Sequence, residues 1–508
     1  MRRVLPFFFL AVILCLVITQ ARAQETKPQS EPSPPKSNVE KKDDCGCDSE
    51  IPPEVLAIVN GVKITFADVD ATIASQVQEL RDQVIRARKQ ELYLLINSNL
   101  LELESKKRKM TENALLQAEV MSKVKDPTEA ELQAFYDQNR AQLQGEFKDV
   151  KDSLIAYIRS QRQREEAQKF VGRLRAAADL KILVEDIFPP ADEAERARPL
   201  AIVNSTTITS GDVEDSLKPL IAEAQEQIYS LRQRQLDLRI NDALLEQEAK
   251  KRNITPAVLL ENEVVPRLKK ITDADAEKFY QANHASLQGS YAEIKDKILE
   301  YLQAVERDRG ETEFAEHLRK GATVQVFLKE PEQPVYRIAI DDQPLKGGAN
   351  APVTIIEFTD YECPACAATH PVLEEIVKEY GDRVNFVVRD FPLEQHTHAA
   401  KAAEAAEAAR AQGKYWEYIA LLFQNQGMLE AENLKEYATR LQLDRKRFDE
   451  ALDTGKYAEK VQKDQQDGYR VGVDATPTVF INGRRIKERT RENLKAAIEA
   501  ALKEVAKK

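Results

Sequence analysis

The chain of 508 residues has only five Cys, one Trp and 17 Gly, and no surplus of base: 74 Lys and Arg against 85 Asp and Glu, a formal net charge of −11. Five Cys are too few to staple a scaffold of this size with disulfides. An acidic chain lacks the basic footprint of a nucleic-acid binder. Gly at about 3% is roughly half its usual share, while Ala, Glu, Gln, Leu, Lys and Arg abound. Those residues lose little rotamer freedom in a helix, so a largely helical chain is expected. A hydrophobic share of 43% excludes wholesale disorder. The length predicts about three domains. After residue 18 no apolar run reaches the roughly 20 residues needed to span a bilayer.

The early apolar run, Val4 to Ile18, follows Arg2 and Arg3 and precedes Ala21-Arg22-Ala23. A basic start, a short apolar stretch and a small-x-small site form the secretory signal pattern. Residues 1–23 are therefore expected to be a cleaved signal that sends the protein to the periplasm or cell envelope, an uncleaved anchor being the alternative. Residues 24–53, rich in Pro, Ser and mixed charge, read as a flexible linker. The linker carries Cys45-Gly46-Cys47. A C-x-C disulfide is strained and exchanges readily, so Cys45 and Cys47 are a candidate accessory redox pair. An intersubunit link, a metal-capturing pair or no dedicated role are the other readings.

The middle of the chain repeats itself. Leu56-Ala57-Ile58-Val59-Asn60 returns as Leu200-Ala201-Ile202-Val203-Asn204, and at the same offset of 144 Phe135-Tyr136 returns as Phe279-Tyr280. A period this long predicts two globular units, since solenoid repeats run about 20–50 residues. The units are placed at 54–196 and 197–333. Each is expected to open on a short strand and a turn, then start a helix at Thr65-Phe66-Ala67-Asp68 or Ser210-Gly211-Asp212-Val213. Long amphipathic helices over 150–174 and 294–318 follow, each closed by a short strand. The run V-N-G-x-x-I-T-x-x-D, the long helix, T-E-A-E-L-x-x-F-Y and the terminal helix resemble the helical chaperone domain of SurA-type and PpiD-type folding factors. Those families insert a parvulin prolyl isomerase before the terminal helix, and no room exists for one between Leu143 and Phe147 or between Leu287 and Tyr291. The resemblance thus implies a client-holding or dimer-forming scaffold.

Beyond residue 334 the pattern changes. Val353-Thr354-Ile355-Ile356-Glu357-Phe358 reads as a buried strand and leads into Cys363-Pro364-Ala365-Cys366, with helical periodicity to Tyr380. A first Cys at a helix N-terminus lies near unpaired backbone N–H groups, which favours its thiolate. Pro364 suits the first helical position, where an N–H would lack a partner. Cys366 follows one turn behind, close enough to form a disulfide. Glu357, on the strand beneath, can accept the Cys366 proton when a mixed disulfide is resolved. A zinc site would need further ligands, and the only other pair sits on the linker. A second strand over 384–391, a helical insert over about 397–469, and Asp474-Ala475-Thr476-Pro477-Thr478 before a strand and an Asn482-Gly483 turn complete the region.

D-Y-E-C-P-A-C, R-D-F-P-L and A-T-P-T together resemble the DsbA-like branch of the thioredoxin superfamily. The resemblance implies an α/β thioredoxin fold with an inserted helical subdomain over 334–508. It also implies a cis Thr476–Pro477 bond facing Cys363, with the Thr476 backbone pairing with an extended client. Ala365 stands where the best-known DsbA members carry His, so a less oxidising disulfide is expected. His370, His396 and His398 read as packing or capping residues, and Trp416 as core. The whole is read as a multidomain exported thiol–disulfide oxidoreductase with two mainly helical chaperone-like repeats. No cofactor, metal or nucleic acid is implied. Partners would be cysteine-containing secreted clients and a membrane redox protein, a homodimer being open. Disulfide isomerase or reductase activity, or a dimeric holdase with secondary redox activity, are the rival readings.

Overall fold

The computed structural model describes residues 53–507 apart from 141, 144 and 285. The expected signal, the linker and the Cys45 and Cys47 pair lie outside these residues. The first repeat opens with β1 (Val55–Val59), which turns at Asn60-Gly61 into β2 (Val62–Thr65). Both turn residues have positive φ, 49° and 88°, as a two-residue hairpin with the sheet's own twist requires. A 43-residue helix, Phe66–Arg108, follows; two shorter helices and the return helix Phe147–Ala177 lead to β3 (Leu180–Ile182). The second repeat has β4 (Pro199–Val203), β5 (Thr206–Thr209), the long helix Ser210–Lys251, the return helix Tyr291–Lys320 and β6 (Val324–Val326).

The long helices start on matched caps. Thr65 N donates to Asp68 Oδ2 at 2.8 Å while Asp68 N donates to Thr65 Oγ1, and Thr209 and Asp212 repeat the exchange. The second cap is therefore Thr209, and Ser210, expected from sequence to start the helix, is its fully buried first residue.

Each repeat was expected to close on itself, and the sheets are built otherwise. β3 pairs antiparallel with β4, and β6 pairs antiparallel with β1, giving three-stranded orders β3-β4-β5 and β2-β1-β6. The closing strand of each repeat thus completes the hairpin of the other. Two compact units result, and neither coincides with a repeat. One holds Val84–Ala222 together with everything from Gln333 onward; the other holds the stretch ending at Gln83 together with Glu223–Glu332. The boundaries fall inside the long helices. At 1.5 Å per residue the first of these runs about 65 Å, while its return helix of 31 residues covers only about 46 Å.

The shared construction is visible in the packing. Leu92, Ile96 and Leu100 of the first long helix share a core with Leu200, Val203, Ile208 and Val213 of the second repeat. Two buried ion pairs obey the same 144-residue relation. Arg88 meets Glu214 at 2.5 Å, and Arg232 meets Asp70 at 3.0 Å.

The C-terminal region builds a five-stranded sheet from β7 (Lys346–Gly347), β8 (Val353–Thr359), β9 (Val384–Asp390), β10 (Thr478–Ile481) and β11 (Arg484–Arg485), in the order β11-β10-β8-β9-β7. The central pair β8 and β9 is parallel, and the others are antiparallel to their neighbours. β8 and β9 are covered on both faces, which is why they read as unbroken β-branched and aromatic runs. One face packs on helices Pro364–Tyr380 and Arg491–Val505 and on the insert. The insert comprises five helices between Ala399 and Arg470. The other face holds Ile356, Phe358, Val387, Phe391 and Phe480. The last insert helix lies so close there that a Cβ on Gly468 would come within 2.7 Å of the Phe391 ring. Among the described residues no helix is long and apolar enough to cross a membrane.

Candidate active site

β8 runs out at Thr359, and the chain turns through Asp360, Tyr361 and Glu362 into Cys363, the N-cap of helix Pro364–Tyr380. The turn is pinned by Asp360, which is buried and accepts from Glu362 N at 2.7 Å, Leu393 N at 2.7 Å and His396 Nδ1 at 2.8 Å. Glu362 accepts from His398 N at 2.8 Å, at the start of helix Ala399–Arg410. Gln426 donates to the carbonyls of Tyr361 and Cys363, at 3.0 and 2.8 Å. The loop that carries the first cysteine is thus tied to β9's exit and to the helical insert.

Pro364 occupies the first helical turn and, with Ala365, faces solvent. Both cysteines are free thiols. Cys363 keeps 7% of its surface and Cys366 none, so only Cys363 can be met from outside. The Cys363 thiol donates to the carbonyl of Thr476 at 3.4 Å. The bond from Thr476 to Pro477 is cis. The sequence reading therefore placed Cys363, Cys366, Pro364, Ala365, Thr476 and Pro477 in what is one locus, with Glu357 beneath it.

The Cys366 sulfur receives Asp360 N at 3.5 Å. Burial first, and the neighbouring Glu357 charge second, push its thiol far above the ordinary cysteine range. Glu357 is fully buried. Its partners are Thr359, whose hydroxyl donates to Oε1 at 3.4 Å, and His370, whose Nδ1 donates to Oε2 at 2.7 Å. Sequence reasoning assigned no role to Thr359, Asp360 or Gln426, and it read His396 as packing or capping. Thr359 was within reach of that reasoning, since residues two apart on a strand share a face. His370 stands four residues after Cys366, one turn on, which was its only signal. Farther back, Tyr361 and Tyr415 join hydroxyls at 3.2 Å over Asp390, whose carboxyl burial and then Asp464 push well upward. Among the described residues no cluster of His, Cys, Asp and Glu is arranged to hold a metal.

Comparison with known proteins bears on this region. Residues 340–500 match the family model described as thioredoxin. Among curated proteins, the chain is 37% identical over 146 residues to "Na(+)/H(+) antiporter NhaA 1" of Mycobacterium sp. (strain KMS), covering 28% of this chain and 24% of that one. It is 36% identical over 168 residues to "Na(+)/H(+) antiporter NhaA" of Herminiimonas arsenicoxydans, covering 33% of this chain and 26% of that one. The chain spans about a quarter of the length of these relatives. Solved structures with similarity include oxidised BdbD from Bacillus subtilis, at 28% identity, TM-score 0.31, and 34% and 99% of the two chains. Another is the thiol-disulfide exchange protein alpha-DsbA2 from Wolbachia pipientis, at 20% identity, TM-score 0.29, and 31% and 86%. Residues 340–500 thus match a thioredoxin family model, and within them the C-x-x-C stands at the strand-to-helix junction and a helical insert separates β9 from β10.

Proposed function

We propose that the protein is an exported thiol–disulfide oxidoreductase acting on cysteine-containing secreted or envelope proteins. One observation carries this reading: Cys363 caps a helix, keeps a small accessible surface, and lies 3.4 Å from the carbonyl that precedes a cis proline, while Cys366 one turn behind is sealed. A client thiolate attacks Cys363 Sγ of the disulfide form, the S–S bond breaks, and its electron pair goes to Cys366. A second client thiolate then attacks the client sulfur of the mixed disulfide, leaving an oxidised client and the reduced pair. In reverse, Cys366 attacks Cys363 and passes its proton to Glu357. The Thr476 backbone would receive an extended client strand.

Ala365 offers no side-chain donor to a Cys363 thiolate, which supports a couple of moderate oxidising strength. The repeats would hold unfolded clients, raising the effective concentration of their thiols. Supporting this, Tyr157 and Tyr301, at matched positions, remain 47% and 54% exposed while stacked on Phe135 and Phe279. A membrane redox protein would reset the pair. The deciding experiment equilibrates the full chain with glutathione buffers and follows oxidation of a dithiol peptide. A couple far more oxidising than glutathione together with turnover supports an oxidase; a couple near glutathione moves the reading to isomerase or reductase. No exchange at all overturns it.

A further inference from the structure

Behind the two cysteines a row of charged side chains runs from the surface to Cys366 with alternating sign. Lys346 on β7 pairs with Glu374, and Glu374 Oε1 lies 3.6 Å from His370 Nε2. His370 Nδ1 donates to Glu357 at 2.7 Å, Thr359 donates to the same carboxylate at 3.4 Å, and Glu357 and Thr359 both act on the Cys366 thiol. Side-chain exposure falls along the row, from 36% at Lys346 and 32% at Glu374 to 4% at His370 and none at Glu357. The imidazole is gripped by Phe423 at 4.7 Å and Phe386 at 5.5 Å between ring centres. Pro371 follows it inside the helix.

A carboxylate sealed from water and left without a cation takes up a proton at neutral pH and ceases to be a base. Among the described residues no Lys or Arg pairs with Glu357, and the cation that its carboxylate touches is His370. We propose that His370 is the positioning residue that meets the Glu357 carboxylate with a cation and holds it toward the Cys366 thiol, so that resolution of a mixed disulfide has a proton acceptor in place. The proposal rests on the exchange reading of Cys363 and Cys366 given above. In the step it serves, the Cys366 S–H bond breaks and its proton goes to Glu357. The Cys366 sulfur bonds to Cys363 Sγ, and the client thiolate leaves with the electron pair of the old S–S bond.

The groups around the imidazole support the assignment. Glu357 faces it from β8 and Glu374 from its own helix, with Lys346 of β7 behind Glu374; β9 contributes Phe386 and the insert contributes Phe423, neither of which titrates. Burial works against charge on the ring, yet Glu357 and then Glu374 hold it up to about 9. A ring that merely packed in the aromatic slot would need neither carboxylate.

The test uses the full chain carrying a peptide in mixed disulfide with Cys363, and measures the rate of peptide release from pH 5.5 to 9.5. H370N should release peptide about tenfold more slowly than wild type at pH 6–7 and approach it above about pH 9, where the wild-type imidazole loses its charge. E357Q should be slow throughout, and H370N in that background should add nothing. A His370→Asn deficit of the same factor at every pH, or no deficit, overturns the proposal. Should H370N not fold, histidine-labelled wild type supplies the answer by NMR. The His370 resonances should shift when the pair is oxidised and again in E357Q; indifference to both overturns it. A wild-type chain that forms no mixed disulfide at Cys363 overturns the exchange reading itself and this inference with it.

Discussion

The repeats and the C-terminal region both bury charge, and they do it for different ends. In the repeats the deepest cations, Arg88 and Arg232, each meet one carboxylate of the other repeat, Glu214 or Asp70, in a reciprocal pair. Each cation is matched and the pairing fixes which halves belong together. In the C-terminal region the buried charged groups are mostly acids, among them Glu357, Asp360, Asp390, Glu407 and Asp464. Here burial and mutual repulsion alter proton affinity, as at Asp390 and at Cys366. Buried charge that neutralises itself specifies an architecture, whereas buried charge left in surplus beside a thiol sets its chemistry.

The largest effect separating the two regions is expected at the cysteines. Cys366→Ser should abolish turnover and accumulate a mixed disulfide on Cys363, and C363S should form no adduct; mass spectrometry after exposure to a client distinguishes them. Next comes the architecture. Arg88→Met leaves Glu214 with its buried partner gone and should cost about 3–5 kcal/mol in denaturant unfolding, with exchange kinetics on small peptides intact. An unchanged midpoint would mean that the reciprocal pairs do not hold the repeats together.

The pH response should belong to the C-terminal region. His370 is held up to about 9, above its ordinary value near 6.5. A raised folded-state value means that the stabilisation is complete below about pH 6.5 and is lost as pH rises through about 9. It amounts to at most about 3 kcal/mol, and unfolding curves between pH 6 and 10 should show the fall in wild type and not in H370N. The smallest effect tests the symmetry of the repeats. Thr65→Ala and Thr209→Ala should each cost about 1 kcal/mol, equally, because both caps make the same bonds.

What the sequence made legible was local. The C-x-x-C after a β-branched strand, Pro364 at the first helical position and the Asn-Gly turn each depend on neighbours a few residues away, and all stand in the structure. The offset of 144 revealed the duplication, but a period does not say which strand pairs with which. β6 joins β1 from the far end of the other repeat, a pairing that no neighbouring residue announces. His370 read as packing for the same kind of reason. Its ring does pack, on Phe386 and Phe423, but its charge depends on Glu357 and Lys346, which arrive from two strands. The Thr209 cap was legible from the repeat offset, since it stands 144 residues after Thr65, and the hydroxyl of Ser210 drew attention one residue too far.

The exchanged strands also impose a schedule. Ala57 pairs with Val326, so at about 5–20 residues per second the first hairpin emerges roughly 13–50 s before its third strand, some 270 residues later, exists. A two-stranded hairpin alone is marginal in water. β3 waits only for β4, about twenty residues on. The later repeat is therefore the clasp of the earlier one, and a chain interrupted before residue 324 would leave its opening strands without a seat.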